Sequence, residues 1–236
     1  DKIADALEVK TEHIARTETL DTGKPLSLSR RVDAARSVSN FRFFADFARQ
    51  QTTESFEMSD AMNYVHRSPL GTVGLITPWN LPLYLLTWKV APALLMGNTI
   101  VAKPSEITPL TANILAETLS ELKLPVGVFN LVHGLGPEVG QAILEHPLIH
   151  GISFTGGTST GKIVAKTAAP MFKKLSLELG GKNATVVLRD ADMAKAIEGT
   201  VKAAFTNSGQ VCLCGSRILV DESIAEQFIK GFVQRV

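Results

Sequence analysis

Residues 149–169 read IHGISFTGGTSTGKIVAKTAA. The first six form a short apolar run, the last twelve have a helical period, and glycines sit at the joint. A strand that passes through a glycine turn into a helix gathers backbone N–H groups and the positive helix end at one point, which suits a phosphate. The spacing Gly156-x-x-x-x-Gly161-Lys162 follows a Walker A loop up to its last position, where Ile163 replaces the Ser or Thr whose hydroxyl sits on Mg²⁺. Isoleucine coordinates no metal. The joint therefore needs another explanation.

The same texture extends outward. The β-rich runs VGLIT (73–77), TIVAK (99–103), VFNLV (128–132) and LSLEL (175–179) join IHGISF (149–154), and helical runs separate them. Strands divided by helices predict a doubly wound α/β fold with a mostly parallel sheet. Ligands of such sheets lie at the carboxyl ends of the strands. Those ends read TPWN (77–80), KPSE (103–106), HGLGPEVG (133–140), FTGGTSTG (154–161) and ELGGK (178–182). Asn, Lys, Glu and clustered glycines converge on one rim. By itself Gly134-x-Gly136-x-x-x-Gly140 is one residue too long for the dinucleotide fingerprint. Thr108 before Pro109 reads as a helix cap followed by proline at the first helical position.

The first fifty residues read as helices. ALEVKTEHIARTETL stops at the turn signal DTGKP, and VDAARSVSNFRFFADFA resumes with Val32, Ala35, Val38, Phe41 and Phe44 at helical spacing. Residues 51–69 are polar and alternate in places, as an exposed hairpin does. Beyond residue 182 come two further strand–helix units, NATVVL with DADMAKAIEGTVKAAF and SRILVD with ESIAEQFIKGFV. Asp192 is placed to cap the first helix, and Ile224, Phe228 and Phe232 are spaced for one buried face of the second. Between them TNSGQVCLCGSR carries both cysteines.

Composition narrows the field. The chain has 24 basic and 23 acidic residues in 236, which offers no electrostatic footprint for nucleic acid. No membrane span is expected, because the longest apolar-rich stretch, LPLYLLTWKVAPALLM, holds Lys89 and two prolines. Cys212 and Cys214 are too close for an unstrained disulfide and have no nearby histidine to share a zinc, so no metal site is expected. A reducing cytoplasm is the simplest setting. The start DKIADALEVK and the end IAEQFIKGFVQRV both fall inside amphipathic patterns, as they would in a piece of a longer protein.

Taken in order, PWN, KPSE, FTGG, LELGGK and GQVCLCGSR resemble the motif series of the aldehyde dehydrogenase superfamily, and the likeness runs from ETLDTGKP to GSRILV. It implies a Rossmann-like domain for NAD and the beginning of a second α/β domain. Residues 1–50 would be helices of the cofactor domain, 51–69 an oligomerisation hairpin, 70–181 the NAD-binding core and 182–236 the start of the catalytic domain. The wording NFRFFADFA, PWNLPLYLLTWKVAPAL and CLCGSRI is similar to the muconic-semialdehyde branch, whose substrates carry a carboxylate.

Oxidising an aldehyde needs a nucleophile to make a tetrahedral adduct, and a thiolate does this best. The resemblance assigns that role to Cys212, oxyanion stabilisation to Asn80 and activation of water for thioester hydrolysis to Glu178. It assigns NAD to Ile76, Thr77, Pro78, Trp79, Lys103, Ser105, Glu106, Gly136, Phe154, Thr155, Gly156, Gly157, Leu179 and Gly180. A carboxylate at Glu106 favours NAD over NADP by repelling the extra phosphate. Many relatives have Ser where Gly157 stands. Arg36 is a candidate partner for a substrate carboxylate.

Bland roles stand beside each of these: packing for the cysteines, a turn for Asn80, solvated charge for Glu178, Lys103, Glu106 and Arg36. A non-catalytic relative and an ATP-binding protein are the competing functions. The expected partners are a small aldehyde and, for a full-length protein, further copies in a homodimer or homotetramer. The 236 residues alone are expected to turn over poorly, because the family's substrate tunnel continues past the cysteine loop.

Overall fold

A computed structural model describes residues 1–236. The chain divides into two compact units, residues 1–178 and residues 179–236.

The first unit opens with helices α1 (Lys2–Glu8), α2 (Thr11–Thr22) and α3 (Leu26–Ser29), a π turn at Arg30–Ala34, and α4 (Ala35–Gln50). A two-stranded antiparallel hairpin follows, β1 (Ser55–Glu57) with β2 (Met62–Tyr64), exposed at every strand residue. The alternating part is β3 (Thr72–Ile76), α5 (Pro82–Leu95), β4 (Thr99–Lys103), α6 (Leu110–Glu121), β5 (Phe129–Leu131), a π turn at Gly136–Gly140, α7 (Gln141–Glu145), β6 (Ile149–Gly156), α8 (Thr158–Ala168) and β7 (Lys174–Leu179). Five strands lie in the order β5-β4-β3-β6-β7, and β3 runs parallel to both β4 and β6. The order reverses direction about β3, which puts the strand ends of β3, β4 and β6 around one crevice. All five strands expected from the sequence are present.

The core joins this sheet to the helices. Val73 and Leu75 of β3 and Ile100 and Ala102 of β4 pack with Leu83, Leu86 and Val90 of α5, Leu115 of α6, and Ala4, Leu7 and Ile14 from the first two helices. Full burial of such side chains contributes roughly 1.5–3 kcal/mol each.

Two local expectations are overturned. On the face expected to be buried, Val38 and Phe41 are buried and Phe44 packs against the core, but Ala35 is exposed and its place is taken by Asp33, Ala34, Ser37 and Asn40. The π turn at Arg30–Ala34 has a wider turn than an α-helix and rotates the inward face ahead of α4. Thr108 does not cap α6. Its hydroxyl donates to the Trp79 carbonyl at 3.2 Å, and the Leu110 N–H is met instead by Asp21 Oδ2 at 2.9 Å. A carboxylate from another helix does the capping that the local sequence suggested for threonine.

The second unit is a parallel pair, β8 (Ala184–Val187) with β9 (Arg217–Val220), joined by α9 (Met193–Phe205) and followed by α10 (Ala225–Arg235). Asp192 caps α9 by accepting from Lys195 N at 3.2 Å, as its position predicts. Phe228 of α10 is buried and stacks on Phe232, with ring centroids 5.7 Å apart. No helix is long and apolar enough to cross a membrane.

Candidate active site

In the first unit, residues 76–79, Lys103, Ser105, Glu106, Gly136 and residues 154–157 all line one cavity of about 550 Å³. Twelve of the fourteen positions assigned to the cofactor are therefore neighbours. Leu179 and Gly180 belong to the second unit. Lys103 ends β4, and its Nζ donates to Pro104 O at 2.9 Å and to Glu106 Oε2 at 3.1 Å. The backbone N–H of Glu106 and this lysine hold the Glu106 carboxyl below the usual carboxylate range. An ionised acceptor thus faces the cavity, suited to a pair of hydroxyls.

Opposite, β6 passes through Gly156 into α8. A Cβ on Gly156 would lie 2.5 Å from Cζ of the Phe154 ring, so glycine is what lets the tip of that ring approach the backbone so closely. Gly157 precedes the first turn of α8, and its N-terminus opens on the same cavity. A helix N-terminus beside glycines favours a pyrophosphate. Ile163 also lines this cavity, an apolar wall where a Walker A loop would need a hydroxyl. The residues present fit a dinucleotide: hydroxyl acceptor at one end, helix N-terminus for the anion, apolar walls between.

Asn80 follows the strand end of β3 on a loop pinned at three points. Thr77 N donates to Lys103 O at 3.1 Å, Thr108 holds the Trp79 carbonyl, and Lys24 Nζ donates to the Asn80 carbonyl at 3.1 Å. Glu178, near the end of β7, lines a second cavity of about 420 Å³ with Phe44, Trp88, Lys89 and Ser153. Lys89 is buried, its Nζ 2.7 Å from Ser153 Oγ. Burial pulls its ammonium down to about 8, against the opposing pull of the Glu178 charge. Arg36 lies over the Tyr84 ring at 5.3 Å and near Trp88 at 6.0 Å, close to the aromatic wall of that cavity.

In the second unit Cys212 is exposed and Cys214 buried. Asn183 Nδ2 donates to the Cys212 carbonyl at 2.7 Å, which ties the cysteine turn to the start of β8. Asn207 and Ser208, at φ 54 and 56, bend the chain just before it. Of the two thiols, the one at Cys212 is reachable by a small molecule and the one at Cys214 is taken up in packing.

Sequence reasoning missed Lys24, Lys89 and Asn183. A lysine within the otherwise apolar run of α5 was the available signal, because lysine is seldom fully buried without a purpose. Lys24 was hidden in a turn motif, and Asn183 carried no signal.

The chain matches the model of the aldehyde dehydrogenase family over residues 1–236. Human 2-aminomuconic semialdehyde dehydrogenase is 49% identical over 235 residues, which are 99% of this chain and 48% of that protein. The 2-hydroxymuconic semialdehyde dehydrogenase of Pseudomonas sp. (strain CF600) is 47% identical over 97% of this chain and 48% of its own length. Among solved structures, an aldehyde dehydrogenase from Bacillus cereus in complex with NAD⁺ superimposes with a TM-score of 0.96 at 40% identity, covering 99% of this chain and 48% of that one. The chain spans about half the length of the relatives it matches. The family model covers the whole chain and relatives with different substrate names are 47–49% identical over nearly all of it, and on that ground the chain belongs to the aldehyde dehydrogenase family.

Proposed function

We propose that this chain supplies the cofactor domain and the nucleophile of an NAD-dependent enzyme that oxidises an aldehyde to a carboxylic acid. The observation that carries the reading is the single cavity shared by the Lys103–Glu106 pair and the glycine joint at residues 156 and 157. Glu106 accepts the adenosine ribose hydroxyls with Lys103 beside it, and its charge disfavours a phosphate there. The helix end at Gly157 takes the pyrophosphate. When bound, NAD supplies the acceptor for the two electrons and the hydrogen that leave the aldehyde carbon.

Cys212 adds its thiolate to the carbonyl, giving a thiohemiacetal whose oxyanion is held by the Asn80 amide and the backbone N–H of Cys212. Oxidation leaves an acyl thioester on Cys212. Glu178 takes a proton from water, which attacks that thioester and releases the acid and the thiol. Arg36 pairs a carboxylate on the substrate, a semialdehyde of the muconic type; its position over Tyr84 and Trp88 supports this reading. The active form of the protein is a homodimer or homotetramer, with the exposed hairpin β1–β2 as the arm between copies.

The test is calorimetric titration with NAD, with ATP–Mg²⁺ as competitor, then an aldehyde screen on the natural protein carrying these residues. NAD binding without an ATP response, and acid formation lost in Cys212→Ser, is the expected result. ATP binding without NAD would sink the reading. Within the screen, Arg36→Ala should cost preference for acidic over neutral aldehydes and little else.

A further inference from the structure

Under the Asn80 loop lies a charged cluster that no step above uses. Lys24 Nζ sits 3.0 Å from Asp33 Oδ2, 3.1 Å from the Asn80 carbonyl and 3.7 Å from Glu18 Oε1. Asp33 and Glu18 are wholly buried, and Lys24 is nearly so. Neither Glu18 oxygen nor Asp33 Oδ1 has a well-formed hydrogen bond. Taking such groups out of water costs several kcal/mol per ion, and well-packed apolar side chains often serve the fold as well or better. Their retention calls for a use.

Two irregularities in the backbone build the cluster. Gly23 ends α2 at φ 75 and turns the chain so that Lys24 enters the interior. The π turn at Arg30–Ala34 rotates Asp33 inward to meet it. The third contact of Lys24 goes to a main-chain carbonyl, that of Asn80, and the preceding carbonyl is held by Thr108. Successive peptide groups at the tip of β3 are thereby fixed by side chains from the N-terminal helices and from the β4–α6 connection.

We propose that Lys24 is a positioning residue for Asn80, clamped by Asp33 and Glu18 so that it fixes the peptide from which the Asn80 amide is presented to the reacting carbonyl oxygen. The proposal rests on the oxyanion reading of Asn80. An oxyanion donor is effective only when held in place before reaction, since displacement by about 1 Å can cost on the order of a hundredfold in rate. A free lysine has four rotatable bonds and would hold nothing. Two buried carboxyls remove that freedom.

The experiment is a double-mutant cycle in the natural protein that carries residues 1–236. Lys24→Gln, Asn80→Ala and the pair are compared for kcat, KM for the aldehyde, NAD affinity by calorimetry, and Tm. If Lys24 acts through Asn80, Lys24→Gln lowers kcat by about tenfold to a hundredfold. NAD affinity stays in place, and the same change costs less than about twofold once Asn80 is alanine. Equal losses in the two backgrounds, or NAD affinity falling together with kcat, would overturn the proposal and leave Asn80 its role. Unchanged kcat in Asn80→Ala alone would overturn the oxyanion reading and the proposal with it. Should Lys24→Gln not fold, Asp33→Asn loosens the clamp while keeping an oxygen for Lys24, and its coupling to Asn80→Ala decides the matter in the same way.

Discussion

Two lysine–glutamate pairs of the first unit differ sharply in setting: Lys103–Glu106 on the rim of the larger cavity and Lys24–Glu18 beneath the Asn80 loop. The chemical groups are the same and the outcomes opposite. Glu106 is open to solvent, takes a hydrogen bond from its own backbone, and sits below the usual carboxylate range. Glu18 is wholly buried, shares one lysine with Asp33, and has its carboxyl pushed up to about 8, by burial first and by the Asp33 charge second. Asp33 is itself raised by burial, against the pull of Lys24. A carboxylate meant to bind a ligand must stay ionised and reachable. One meant to hold a neighbour in place tolerates a proton, because two carboxyls facing one lysine in a dry pocket are better neutralised by one.

The buried side should break hardest. Asp33→Ala leaves Lys24 with Glu18 at 3.7 Å as its remaining counter-charge, and is expected to cost on the order of 3 kcal/mol in urea unfolding. Glu106→Ala, on the open side, should cost less than about 1 kcal/mol. Equal losses would erase the contrast between the two pairs.

A pH scan sharpens it. The folded state binds the Glu18 proton more tightly than the unfolded chain, whose glutamate titrates near 4.5. That contribution to stability is complete below about 4.5, declines as pH rises, and is gone once pH passes about 8. Asp33, Lys24 and the Thr111 hydroxyl are the groups that set it, with burial the largest cause. The Tm of the wild-type chain should therefore fall between pH 5 and 8.5, and Glu18→Gln, which carries a permanently neutral side chain, should flatten that fall. Parallel wild-type and variant curves would remove Glu18 as the cause.

On the open side the expected effects concern ligand rather than fold. If Glu106 accepts the ribose hydroxyls as proposed, Glu106→Gln should weaken NAD by about tenfold in calorimetry and narrow the preference over NADP. Smallest of all is Gly157→Ser. A Cβ there would meet only Ser159 Oγ at 4.0 Å, so a serine fits without strain. One added hydroxyl near the pyrophosphate should tighten NAD about threefold, within the roughly 1 kcal/mol of a single hydrogen bond. A loss of affinity would mean that the helix end does not face the pyrophosphate.

The rim was legible because its parts are local. Each strand is a short apolar run, each strand end a motif of three to eight residues, and the parallel topology brings those ends together whatever the loops do. The helical face is legible at Val38, Phe41 and Phe44 but not at its start, since a π turn adds a residue to a helical period without a sequence signature. Ala35 was read inward and lies outward. The Thr108–Pro109 pair was misread for a related reason. A local cap signal cannot show that Asp21, eighty-nine residues away in sequence, will occupy the helix end and release the threonine for Trp79.

The sequence by itself determined the alternation of strands and helices, because periodicity and turn signals are local, and its short motifs carried the family resemblance that implies the candidate nucleophile, base and cofactor residues. Only the tertiary structure decided which charges are buried together. Glu18, Lys24 and Asp33 lie within sixteen residues and look like ordinary surface charges of helical segments. Their meeting under Asn80 depends on a left-handed glycine, a π turn and the packing of α2 against α6, and their protonation depends on the water that this packing excludes.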